Sequence, residues 1–183
     1  MKKLFFMSAV CAIFFLFSGC DEIKKLSVVD VDIPNVEFSF PAMEIDATRA
    51  DMHSFEWTEN VSISNLGSKV AGYNISYCKG ATCESASVRI YPVNAGVEGK
   101  VENLRIEVIG GSSPPAPFTK SEYILGETCS DAALKTFAEK LLFNLLTQEF
   151  TLKVSGKTDL PSGELIAAEI AILDIKVKIQ LLN

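Results

Sequence analysis

Through most of this chain apolar side chains alternate with polar ones, and a period of two is the pattern of strands that bury one face. Val29, Val31 and Ile33 alternate with Asp30 and Asp32. After Pro34-Asn35 the alternation resumes in the opposite phase with Val36, Phe38 and Phe40. Phe55 and Trp57, Tyr73 and Ile75, Val88 and Ile90, and Leu104 to Val108 repeat it. So do Phe150 to Val154 and the long run from Ile166 to Leu181. Within that last run the apolar positions are even up to Ile172 and odd from Leu173. A one-residue phase change predicts a β-bulge near Ile172–Leu173.

One segment has a different period. From Ser130 to about Thr147, residues Leu134, Phe137, Ala138, Leu141, Leu142 and Leu145 recur at helical spacing. Ser130 is the expected cap, with Asp131 at the positive end. Lys135, Glu139 and Asn144 lie off the apolar stripe. Residues 110–117 read GGSSPPAP, too rich in proline for a helix and expected as a stiff loop. About nine strands and one amphipathic helix predict a mainly β fold. The expected form is a two-sheet antiparallel sandwich, immunoglobulin-like in outline. An antiparallel sheet with the helix across one face is the alternative.

The amino terminus carries an address. Lys2 and Lys3 precede an apolar run, Leu4 to Phe17, which is too short to span a bilayer and fits a signal-peptide core. It ends in Phe17-Ser18-Gly19-Cys20, which resembles the signal peptide of a bacterial lipoprotein, with Phe17 where leucine is usual. The resemblance implies cleavage before Cys20 and acylation of its sulfur, and several acyl chains suffice for stable anchoring. Residues 1–19 are then a cleaved signal, 20–27 a lipidated tether, and 28–183 a single β-rich domain in the bacterial cell envelope. Asp21 and Glu22 resemble sorting residues of such lipoproteins.

Cleavage leaves 164 of the 183 residues, enough for one domain. Loss of Lys2 and Lys3 takes the basic residues from 17 to 15 against 23 acidic ones, a net charge of −8. That balance argues against nucleic acid as a partner. Cys11 leaves with the signal and Cys20 takes lipid, so Cys78, Cys83 and Cys129 remain. In an oxidising compartment a Cys78–Cys83 disulfide across a short glycine-containing turn is expected, with Cys129 buried and reduced, and a bridge from Cys129 to either of them is the alternative.

No motif for chemistry has its proper setting. Ser76-Tyr77-Cys78-Lys79 matches S-x-x-K, but it lies in an alternating strand run without its companion motifs. His53, the single histidine, sits among Asp51, Ser54 and Glu56 and reads as a solvent-facing loop residue. Zinc on Cys78, Cys83, Cys129 and His53 is arithmetically possible, but the spacing is loose. Asp30 and Asp32 could contribute to calcium, yet read better as a solvated strand face. Gly110-Gly111-Ser112 lacks the strand and helix of a phosphate loop. Trp57, Tyr73, Tyr77, Tyr91 and Tyr123 could stack on glycans, though Trp57 suits the core better.

The chain therefore reads as a lipid-anchored, non-enzymatic binding, adhesion or assembly module without cofactor or metal. Its expected partners are the membrane and an envelope protein or glycan. The alternatives are a carrier or sensor of a small apolar ligand or glycan and, behind it, an envelope hydrolase.

Overall fold

The computed structural model describes residues 28–46, 52–62 and 77–180. The signal, Cys20, the tether, Asp51, Tyr73, Ser76 and Leu181 lie outside them. The described strands are β1 (Val28–Ile33), β2 (Val36–Glu44), β3 (His53–Val61), β4 (Cys78–Thr82), β5 (Ser85–Pro92) and β6 (Lys100–Ile109). β7 (Phe118–Ile124), β8 (Thr128–Cys129), α1 (Ala132–Thr147), β9 (Phe150–Thr158), β10 (Leu165–Leu173) and β11 (Ile175–Gln180) follow. Every strand pairing among the described residues is antiparallel.

Two four-stranded sheets have the orders β2-β10-β5-β8 and β3-β9-β6-β7. Their inner faces share one core, in which Phe40 of β2 lies 6.1 Å from Trp57 of β3. Phe55 packs on Trp57 at 5.1 Å, and the indole Nε1 donates to the Pro41 carbonyl at 2.9 Å. At another corner of the core the Tyr123 hydroxyl of β7 accepts from Ile90 N of β5 at 3.1 Å. The chain is thus mainly β and sandwich-like, with one described helix. The immunoglobulin outline does not hold. Counted along the chain without β1, β4 and β11, the sheet orders read 1-8-3-6 and 2-7-4-5, those of a jelly roll. Local alternation specifies which residues face inward and carries no information on which strands become neighbours.

A third sheet, β1-β11-β4, is an extension of the first. β1 runs into β2, β4 into β5, and β10 into β11, while β11 and β10 are the central strands of the two parts. All three strands bend along one line and change phase there. Buried positions are odd at Ile33, Cys83 and Ile175, and even at Val36, Ala86 and Ile172. At the bend Asp174 takes φ +52°, and its amide donates to Asn35 Oδ1 at 3.0 Å. Glu84 N donates to Leu173 O at 3.1 Å. The phase change expected near Ile172–Leu173 falls at Asp174 and moves the chain from one sheet part to the next, the way strands turn corners between sheets. A register shift within β10 occurs elsewhere, against β2 between Ile166 and Ala168.

Helix α1 packs against β4 and β5 on one side and β7 on the other, so it spans both layers instead of lying across one face. All six predicted stripe residues are buried, with Leu146 beside them. The cap is Asp131, one residue after the predicted Ser130, and its side chain accepts from Leu134 N at 2.9 Å. No helix among the described residues is long and apolar enough to cross a membrane.

Candidate functional site: an open groove beside the proline-rich loop

An open groove of about 520 Å³ lies between β4, the loop from Ser112 to Ala116, and the carboxyl-terminal half of α1. Three sequence features build it. The first is the loop itself, which leaves β6 through Gly110 and Gly111 at φ +91° and +77°. A Cβ on Gly111 would stand 2.5 Å from Gln148 Nε2, so this position demands glycine on both counts. Ser112 N and Oγ both donate to Gln148 Oε1, at 2.9 and 3.1 Å. The amide of Gln148 donates in turn to Asn144 Oδ1, and Asn144 Nδ2 donates to Lys140 O at 3.0 Å. This chain of bonds ties the loop to the helix and explains why Asn144, expected off the stripe, is only 5 % exposed.

The second feature is the helix face, which presents Glu139, Lys140 and Phe143 beside Pro114 and Pro115. Phe143 is 38 % exposed, unusual for a phenylalanine on a helix whose other large apolar side chains are buried. The third is β4. Among the described residues its ladder partner is β11, on one side only. Lys79, Gly80 and Ala81 line the groove, and the space around Gly80 is open. A strand with one partner offers backbone donors and acceptors to an added extended segment. With Lys79 and Lys140 against Glu139, the groove carries one net positive charge on a chain of net charge −6.

The cysteines expected to bridge do not. Cys78, Cys83 and Cys129 are unbonded thiols. Lys79 to Thr82, read as a turn, is strand β4. Five residue steps of extended chain place Cys78 and Cys83 roughly 15 Å apart, against the roughly 4.4–6.8 Å between Cα atoms that a disulfide needs. The same strand holds Lys79 of the S-x-x-K match.

His53 is no loop residue. It opens β3 opposite Thr158 and is 8 % exposed, because the alternation of Phe55 and Trp57 extends one step further back than its polar neighbours suggest. Asp30 and Asp32 of β1 stand in register with Lys178 and Lys176 of β11, an arrangement of opposite charges across a strand pair. Trp57 and Tyr123 are core residues. Tyr91 is partly exposed, donates to Glu169 Oε1 at 2.8 Å, and lies under the Arg89 guanidinium at 4.9 Å.

Sequence reasoning placed the proline-rich loop but missed its partners Lys140, Phe143, Asn144 and Gln148. The available signal was Phe143, an aromatic off the stripe and three residues after a lysine.

No protein-family model matches the chain, and no curated protein matches it. Among solved structures, a chain of Desmodium yellow mottle tymovirus is similar with a TM-score of 0.36 and 9% sequence identity, covering 85% of this chain and 89% of that one. A likeness that remote carries no argument here.

Proposed function

We propose that the chain is a lipid-anchored, non-enzymatic binding module of the bacterial cell envelope. Acyl chains on Cys20 hold it to the membrane, and the groove takes an extended acidic segment of a partner protein. The observation that carries the binding half is the groove itself. A strand edge without a second partner among the described residues, a proline-rich wall, an exposed Phe143 and two lysines converge on it, a combination suited to adding a strand and seating its side chains. The anchor half rests on Ser18-Gly19-Cys20.

A carrier of a small ligand is the second reading, since 520 Å³ falls within the range of roughly 300–1,000 Å³ of such sites. The lining favours it less, with one aromatic and no leucine.

The two halves are tested separately. Cys20→Ser should move the protein from the membrane to the soluble fraction, abolish palmitate labelling and leave its circular dichroism unchanged. Continued membrane attachment of that variant removes the anchor. For the groove, an extended acidic peptide with alternating apolar residues should shift the amide resonances of Gly80 and Phe143, and a lysine-rich counterpart should not. Phe143→Ala with Lys140→Glu should abolish the shifts. Equal response to both peptides, or to neither, removes the acidic-segment reading.

A further inference from the structure

The groove does not end at Lys140. A second cleft of about 310 Å³ continues from it between α1 and the start of β7, and Ala116 and Lys140 line both. Its floor is Phe118 of β7 and Phe137 of α1, each only 4 % exposed. Pro117 stands on one side, Ala133 and Thr136 on the other. The Thr136 hydroxyl donates to Ala132 O at 2.9 Å, so its proton is spent inside the helix. Among the described residues that line this cleft, Lys140 alone is charged.

The helix spacing sets the scale. Ala133, Thr136, Lys140 and Phe143 follow at intervals of three or four residues and so share one face of α1. The middle of the cleft, near Thr136 and Phe137, is three or four residues from Lys140. At 1.5 Å per residue that is roughly 5 Å along the axis. Extended chain covers this distance in about two residues, and residues two apart point to the same side. A segment that sets a carboxylate on Lys140 therefore presents its next same-side residue to the cleft. Charge complementarity supplies that carboxylate. Among the described residues Lys100, Arg105, Lys120 and Lys153 have acidic partners, whereas Lys79 and Lys140 are in no ion pair.

We propose that the second cleft is a specificity subsite for an aromatic side chain, carried by the partner's acidic segment two positions from the carboxylate that meets Lys140. This rests on the acidic-segment reading of the groove and adds what the segment must contain. The two phenylalanine rings of the floor offer an incoming ring offset or edge contacts, which an aliphatic side chain of similar size cannot make. Lys140, shared by both cavities, fixes the register between the acidic and aromatic positions.

The test uses the full-length protein in detergent and two fluorescent peptides of extended acidic sequence. They differ only in carrying phenylalanine or alanine two residues from a glutamate. By anisotropy the phenylalanine peptide should bind at least about tenfold tighter, the order of effect of burying one such side chain. It alone should shift the amide resonances of Thr119 and Ala133. Ala133→Leu replaces an exposed helical residue with another good helix former, partly fills the cleft, and should erase the difference between the peptides. Equal affinities for the wild-type protein overturn the subsite and leave the groove standing. So does a tighter phenylalanine peptide that leaves Thr119 and Ala133 unmoved, or a difference that survives in folded Ala133→Leu protein. Binding of neither peptide removes the groove reading, and the subsite falls with it. If Ala133→Leu unfolds, the wild-type affinities and resonances decide.

Discussion

Replacing Phe40 with alanine tests whether the two layers are packed on each other through the Phe40–Trp57–Phe55 cluster. Phe40 is 3 % exposed and its ring centroid lies 6.1 Å from that of Trp57 in the opposite sheet. A buried phenylalanine removes about 150–200 Å² from water, about 4–5 kcal/mol at 25 cal/mol per Å². Alanine retains a small part of that, and the lost ring pair and residual cavity add to the cost. The expected destabilisation is about 4 kcal/mol, within the usual range for Phe→Ala in a core. Urea unfolding can be followed by the emission of Trp57, the single tryptophan of the chain. At a slope of about 2 kcal/mol per M the midpoint should fall by about 2 M. The emission of the folded variant should also change, since Trp57 loses a packing partner. Phe143→Ala is the control and should move the midpoint by less than about 0.3 M, because its ring is substantially exposed. A shift below about 0.5 M for Phe40→Ala, with unaltered emission, would refute the cross-layer packing.

Gly156 of β9 faces Phe55, and a Cβ there would meet the Phe55 ring and Val101 Cγ1 at 2.9 Å each. Gly156→Ala should cost about 1–3 kcal/mol in urea unfolding by overpacking. Asp131→Ala removes the α1 cap and should cost about 1 kcal/mol by the same measurement. Glu59 Oε2 is enclosed without a hydrogen-bond partner among the described residues, and desolvation raises the pKa of this carboxyl above its ordinary 4.5. The folded state therefore binds the proton more tightly than the unfolded one, so this group's contribution to stability falls as pH rises from about 4.5 through the raised value. Glu59→Gln should flatten the urea midpoint across that window, and an unchanged pH dependence would contradict the assignment.

Much of the fold was legible because burial in a sandwich imposes a strict period of two. The phase reversals after Ile33 and after Ile172 could be read directly, since each joins two runs long enough to show their parity. The third reversal, between Cys83 and Ala86, was hidden. β4 contains Lys79, Gly80 and Ala81, poor strand formers that take that form because β11 pairs with them, and a non-local cause leaves no local mark. His53 was misjudged for a related reason. Its polar neighbours suggested a loop, whereas its buried position follows from pairing with Thr158. The groove was the least legible element. It assembles residues near positions 80, 114 and 143, and only the proline-rich loop differs visibly from ordinary surface.

The place of β11 between β1 and β4 has a consequence for biogenesis. β1 comes first among the described strands and β11 last, yet β11 supplies the described ladder partner of both β1 and β4. During synthesis those two segments wait for a strand made some 90 residues or more after them, and closing such long loops is slow. Until residues 175–180 emerge, β1 and β4 lack their described partner and are open to foreign strands. A ribosome that stalls before Ile175 would leave a nascent product with both edges bare, a natural client for a holding chaperone.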